Sequence, residues 1–194
     1  EQYAQPGSHC YDLGCSLGAS TLAMRHGIPF ADCHLFGVDN SPAMIERCEH
    51  YIALDDSPVP VTLRCEDILD TELSNASVTT LNFTLQFIAP AQRAGLLQRI
   101  AEATRPGGVL ILSEKLCFES EQEQEIQTRL HHAFKRANGY SDLEISQKRT
   151  ALEQVLIPET LAQHQERLRA AGFDQVLLWY QCFNFTSLLA IKTP

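Results

Sequence analysis

Tyr11–Gly18, YDLGCSLG, followed by an isolated acid at Asp39, decides the fold class of this 194-residue chain. An apolar run ending in Asp12, a glycine turn at Gly14 and Gly18, and a carboxylate about twenty residues further on form the layout of a nucleoside-binding α/β domain. At Gly14 the missing Cβ lets the backbone approach a ligand and adopt conformations that other residues resist. Gly18 permits close packing where the following helix begins. The spacing Gly14-Cys15-Ser16-Leu17-Gly18 is not the G-x-G-x-x-G that rests a pyrophosphate on a helix N-terminus, so a dinucleotide is not the expected ligand.

Outward from this loop, strand and helix patterns alternate. Cys10–Leu13 reads as a first strand and residues 19–26 as the helix after the turn. Residues 34–38 (HLFGV) form a second strand, and Asn40 or Ser41 can cap a helix that has Pro42 in its first turn and runs to about residue 54. Further strands are expected at 59–64, 77–83 and 109–113, with a helix at 90–104 closed by Pro106, Gly107 and Gly108. The succession predicts a doubly wound, mostly parallel sheet with right-handed crossovers. The last third differs. Two polar helical stretches, 119–137 and 141–155, are separated by Asn138-Gly139 and read as an insertion, spanning about residues 117–157, that covers the ligand edge of the sheet. An amphipathic helix at 158–171 and two closely spaced strands, 175–181 and 184–192, complete a seven-stranded sheet with a C-terminal antiparallel hairpin. That ending distinguishes the chain from an NAD domain and resembles the Rossmann-like fold of class I S-adenosylmethionine (SAM) methyltransferases, whose sheet order ends in such a hairpin. SAM loops commonly read acid-x-Gly-x-Gly-x-Gly; Asp12, Gly14 and Gly18 match, with Ser16 at the middle glycine.

Composition narrows the setting. A chain of this length suits a single domain, here residues 1–194, with a core that needs neither disulfide nor structural metal. Fifteen Lys and Arg against 24 Asp and Glu give a net charge of -9, a field that repels polyanions and disfavours direct nucleic-acid binding. Seven cysteines without a CxxC pair read as reduced, buried thiols of a cytoplasmic protein. No apolar run approaches the ~20 residues that span a bilayer, and no charged leader precedes an apolar stretch. Because the chain opens on Glu and enters a strand almost at once, an upstream segment is expected.

Asp39, directly after the second strand, can accept hydrogen bonds from both ribose hydroxyls of a nucleoside. Capping of the next helix is left to Asn40 and Ser41. Asp67, in CEDI after the third strand, suits an adenine amino group, with the Ile68 backbone N–H directed to the ring; a plain loop acid is the other reading. Asn82, at the end of the fourth strand, is a polar group among apolar ones and needs partners that a cofactor could supply. His131 and His132 face different sides of a helix and offer no metal set. Glu121, Glu123 and Glu125 read as a solvated face. No Ser-His-Asp or Cys-His set assembles, and Cys15 reads as packing.

Longer motifs are more specific. YDLGCSLGAST, DNSPAMIERC, LNFTLQF, LSEK, FKRANGYS, LEISQKR and WYQCFNF together resemble the carboxy-S-adenosylmethionine synthases over nearly the whole chain. In this family the loop itself reads GCS. The resemblance implies that prephenate gives up a carboxyl group to the SAM methyl carbon through a sulfonium ylide, leaving phenylpyruvate. It further implies a homodimer and a product consumed by a tRNA carboxymethyltransferase that modifies wobble uridine to 5-carboxymethoxyuridine. It maps Gly14, Cys15 and Ser16 onto the cofactor loop, Asp39 and Asn40 onto ribose, Asp67 and Ile68 onto adenine, and Asn82 onto the methionine end. Arg149, in SQKRT, is implied to recognise the new carboxylate, for which a guanidinium offers a rigid fork. No metal is expected. Two alternatives share the adenosyl site: a conventional SAM methyltransferase acting on a small molecule or tRNA, and a non-catalytic SAM-binding partner protein. The segment NFTL carries no D-P-P-Y motif of amino methylation.

Overall fold

A computed structural model describes residues 2–153 and 155–194, and the side chains of residues 148–153 lie outside the description. Strands β1 (His9–Leu13), β2 (His34–Asp39), β3 (Val61–Cys65), β4 (Ala76–Asn82), β5 (Thr104–Lys115), β6 (Gln175–Cys182) and β7 (Phe185–Ile191) form one sheet in the order β3-β2-β1-β4-β5-β7-β6. The first five strands pair in parallel, and β7 enters antiparallel between β5 and β6. Strand order reverses between β1 and β4, and the ligand crevice of open α/β sheets lies outside the carboxyl ends of the strands at such a reversal. Helices α1 (Ala19–Gly27), α2 (Pro42–Ala53), α3 (Pro90–Ala103), α4 (Glu121–Ala137), α5 (Asp142–Glu153) and α6 (Leu161–Ala170) connect them.

Parallel strands covered on both faces read as continuous apolar runs, which is why β1 was legible from four residues. The main core joins Tyr11 and Leu13 of β1, Val38, Leu81, Leu110, Leu112 and Leu188 of the sheet, Leu96, Leu97 and Ile100 of α3, and Leu168 of α6. A second cluster around Cys10, Cys33, Leu35 and Val59 fills the other side.

Local chemistry moves three expected boundaries. Helix α3 stops at Ala103, and Thr104 already pairs with Ala76 as the first residue of β5. Residues 105–108 then stand opposite Ser77 alone, an irregularity that accommodates Pro106 without requiring its missing amide hydrogen. Helix α6 begins at Leu161 rather than near Pro158, because Thr160 and Gln163 form a reciprocal capping box. Residue 159 is instead extended, bridging Leu116. The cysteines also differ from expectation. All seven are free, but only Cys10, Cys15, Cys33 and Cys48 are buried, while Cys65 is exposed at the end of edge strand β3.

Beneath α6 lies a charged core that the sequence did not announce. Arg93 of α3 is fully buried and bonds Glu159, which also pairs with Arg167. Beside them His164 is 1% exposed, and neither ring nitrogen has a partner among the described residues. Burial pushes the His164 imidazole down to about 4, with nearby Arg167 and Arg93 acting in the same direction and Glu159 against it. The folded state therefore refuses a proton that the unfolded chain accepts below 6.5, so stability falls as pH drops from there towards 4. His164→Leu is expected to raise stability at pH 7 by about 1 kcal/mol, since it removes two unpaired buried nitrogens. It should also flatten the loss of stability between pH 6.5 and 4. Urea midpoints of the variant and the parent at pH 7 and pH 5 check both points.

Candidate active site

The turn after β1 is held open by contacts that reject a side chain. Gly14 has φ +84°, and a Cβ there would lie 2.2 Å from Thr84 Oγ1; Gly18 has φ +86°, with Cys48 Sγ 2.5 Å from the corresponding position. The Gly14 and Cys15 amides both donate to the Val38 carbonyl, at 2.8 and 2.9 Å, which fastens the turn to the end of β2. Asp12 serves below the loop. Its carboxylate accepts the hydroxyls of Thr21 (2.6 Å) and Thr80 (2.8 Å), joining β1, α1 and β4. Burial pushes the Asp12 carboxyl up, against the hydrogen bonds from Thr21 and Thr80 that favour its charge. Cys15 is 4% exposed, and its hydrogen bond to Cys48, then burial, drive its thiol upward, so it is packing and no nucleophile.

Asp39 closes the loop. Its Oδ2 accepts the Ser16 amide and its Oδ1 the Ser41 amide, each at 2.9 Å. The expectation that Asn40 or Ser41 caps α2 is thereby corrected. Ser41 is the N-cap residue but its side chain caps nothing, and Asp39 receives the amide in its place. A carboxylate oxygen accepts more than one hydrogen bond, so both oxygens keep acceptor capacity for hydroxyl groups. Asn40 is exposed beside it. Ser16 sits at φ +48°, a conformation a serine adopts where the surroundings over-determine it.

The Asp39 carbonyl also accepts the Glu66 amide, which brings the turn after β3 to the same edge. There Asp67 is exposed, Oδ1 accepts the Leu69 amide at 2.9 Å, and Oδ2 has no partner among the described residues. The Ile68 side chain is 6% exposed within the main core, leaving only its backbone to meet a ligand. Asn82, at the carboxyl end of β4, finds its partners inside the protein: Nδ2 donates to Ser20 Oγ (2.9 Å) and Oδ1 accepts from Ser113 Oγ (2.8 Å). The next residue, Phe83, has φ +58°, a second strained position at this edge. Arg149 lies on α5, and its side chain is outside the described residues.

Beyond Phe83 opens a cavity of about 1070 Å³ between the sheet edge and helices α4 and α5. Phe83, Phe87 and Phe185 give it aromatic walls, and Lys115, Arg129, Lys135 and Arg136 give it positive charge despite the acidic chain. Arg136 pairs with Asp142, whereas the Lys115 ammonium and the Arg129 guanidinium have no partner among the described residues. Phe83 stacks edge-on to Phe185 at 5.8 Å. Below the cavity Glu114 is 1% exposed and accepts the amides of Leu85 and Gln86, both at 3.0 Å, fixing the 3-10 turn Leu85–Phe87. Burial pushes the Glu114 carboxyl up to about 8 in spite of those amides and of Arg93 nearby. Sequence reasoning passed over Glu114, Lys115 and Arg129. The signal for the first was a lone acid closing an apolar strand, LILSEK. Among the described residues no cluster of three or more His, Cys, Asp or Glu could hold a metal ion, and no helix is long and apolar enough to cross a membrane.

A family model described as a methyltransferase domain matches residues 11–108. The carboxy-S-adenosyl-L-methionine synthase of Marinobacter nauticus is 80% identical over 192 residues, covering 99% of this chain and 77% of the relative. That of Aliivibrio fischeri is 55% identical over 192 residues, covering 99% and 79%. Among solved structures, human N-acetylserotonin methyltransferase in complex with SAM superposes with a TM-score of 0.64 at 18% identity, over 96% of this chain and 48% of that one. A possible exported protein from Bordetella parapertussis reaches 0.72 at 17% identity, over 99% and 64%. At such identities the two structures speak for the fold alone.

Proposed function

The chain belongs to the carboxy-S-adenosyl-L-methionine synthase family, and on that footing we propose that it takes its carboxyl group from prephenate and releases phenylpyruvate. It is an enzyme of the SAM-dependent methyltransferase fold, which sets aside the non-catalytic reading, and the family product distinguishes it from a conventional methyltransferase. The observation that carries the choice of donor is the cavity that opens at Phe83, with phenylalanine walls and the cations Lys115 and Arg129, which have no partner among the described residues. A six-membered unsaturated ring bearing two carboxylates matches that lining in shape and charge.

Residues Gly14, Cys15 and Ser16 would carry the methionine portion of SAM past the loop. Asp39 and Asn40 would take the ribose hydroxyls, Asp67 and Ile68 the adenine, and Asn82 the methionine end. The fit rests on the free acceptor capacity of Asp39. Bound SAM supplies a methyl group made acidic by the neighbouring sulfonium. Conversion of the donor ring to phenyl expels its hydroxyl together with the carboxyl group, and the hydroxide and the methyl proton leave as water. The chain's part is enclosure: α4 and α5 close over the sheet edge, so that released carbon dioxide stays beside the methyl carbon. Arg149 on α5 would recognise the carboxylate so formed.

The wider setting follows from the same reading. The product would serve a tRNA carboxymethyltransferase acting on wobble uridine in the cytoplasm, with this acidic chain making no direct contact with nucleic acid. A homodimer is supported by the stripe Ile126, Leu130 and Phe134 on α4, exposed by 38%, 46% and 51% at helical spacing.

Incubation of the protein with SAM and prephenate should yield phenylpyruvate and a nucleoside heavier than SAM by one carboxyl group. Unchanged prephenate would refute the choice of donor. Arg149→Lys is expected to weaken binding of carboxylated SAM about tenfold or more, while SAM itself is little affected, because a point ammonium cannot reproduce the two-pronged contact. Equal losses for the two ligands in calorimetry would remove Arg149 from this role.

A further inference from the structure

A row of polar side chains crosses four strands at the level of the candidate site. Asn82 of β4 pairs in register with Ser113 of β5, and Ser113 with Ser187 of β7. Register partners share a face of the sheet. On β6 the register shifts between Leu178 and Tyr180, so Trp179 is an extra residue in the strand. Such a bulge re-aims a side chain, and here the indole Nε1 donates to Ser187 Oγ at 2.9 Å. Ser187 and Ser113 are 3.0 Å apart, and Ser113 donates to Asn82 Oδ1 at 2.8 Å.

The direction of this chain is determined at its outer end. An indole N–H can only donate. Ser113 has one hydroxyl hydrogen and gives it to Asn82, so the bond between the two serines must be donated by Ser187. Every proton in the row points inward, from Trp179 to Asn82. The Asn82 oxygen is thereby occupied, and its amide nitrogen faces Ser20 with one hydrogen and keeps the second for another partner. Ser113 and Ser187 are only 9% and 6% exposed. Two buried hydroxyls are costly unless each is hydrogen-bonded, and both are here.

We infer that Ser113, Ser187 and Trp179 are positioning residues that lock the Asn82 amide with its N–H presented to the methionine end of SAM. The inference rests on the proposed role of Asn82 as a SAM contact. It gives the terminal hairpin a second part beside the Phe185 wall of the cavity. It also makes Trp179, the sole tryptophan of the chain, a natural reporter of the site.

The test is a double-mutant cycle on SAM affinity, measured by calorimetry on the whole chain. Ser113→Ala is expected to weaken SAM binding about fivefold, the loss of one orienting hydrogen bond, and less than about twofold once Asn82→Ala is present. Trp179→Phe, a change at a largely exposed side chain that leaves folding intact, should repeat the pattern with a smaller loss. Saturation with SAM should change the emission of Trp179 in the parent and leave it unchanged in Ser113→Ala. Equal losses with and without Asn82→Ala, or a parent emission indifferent to SAM, would overturn the relay while leaving Asn82 in the site. Parent-like SAM affinity in Asn82→Ala alone would overturn the role of Asn82 and the relay with it.

Discussion

Asp39→Ala is expected to lower the affinity for SAM by about a hundredfold or more, because two kinds of contact vanish together. The carboxylate staples the glycine turn to the start of α2 through the Ser16 and Ser41 amides. Without it both amides lose their acceptor, and Ser16 loses a contact that holds it at φ +48°. The same oxygens are those proposed to accept the ribose hydroxyls, and hydrogen bonds to a charged acceptor contribute about 1.5–3 kcal/mol each. Two of them already exceed the hundredfold mark. Asp39→Asn should fall between parent and alanine variant, since it keeps one acceptor oxygen but turns an NH2 group towards a backbone N–H. Calorimetric titration with SAM, alongside thermal melts to exclude unfolding, reads the effect. Affinity retained in Asp39→Ala would take this residue out of the site.

Arg93→Leu should cost about 3–5 kcal/mol of stability, the penalty for breaking a buried ion pair from one side. The guanidinium is fully buried and donates to Glu159 and to the carbonyls of Gln86, Ile88 and Ile157. All of these acceptors lose a partner at once. Against the 5–15 kcal/mol typical of a folded domain, such a loss is a large fraction. It would also reach the cavity, because Gln86 lines it and the Ile157 amide bonds the Gln86 carbonyl. The pH dependence has a definite sign. Burial raises the Glu159 carboxyl, but its bonds and charge contacts with Arg167 and Arg93 prevail and hold it below the ordinary 4.5. Its contribution is present above 4.5 and is lost as pH falls through the lower folded value. With Arg93 gone, that acid-side loss should begin at a higher pH. Urea denaturation at pH 7 and pH 4 measures both effects, and a loss below 1 kcal/mol at pH 7 would contradict the role given to this arginine.

The strand cores, the helix after the glycine turn and the antiparallel ending were legible because burial on both faces writes an apolar run and the turn requires glycine where a side chain would collide. Boundaries were less legible where a single side chain decides them, as Thr160 does for α6, or where pairing with a distant strand does, as Ala76 does for Thr104 at the start of β5. In the candidate site, the residue types at Gly14, Ser16, Asp39 and Asp67 were readable from their places after strands. Their existing bonds were not. Asp39 was expected to be free for a ligand and is half engaged by backbone amides, and Asn82 was expected to need partners that a cofactor could supply and finds two of them in serines.

The order of elements, the glycine turn and the family are written in the amino-acid sequence, since each depends on local spacing or on motifs contiguous in the chain. That Arg93 and Glu159, or Asn82 and Trp179, belong together emerged with the folded chain, because those groups come from segments far apart in the sequence. Sheet pairing and helix packing bring them within hydrogen-bond reach, directly or through Ser113 and Ser187. Hydrogen bonds act over about 3 Å, so partnership between distant residues exists only once the fold has set those distances.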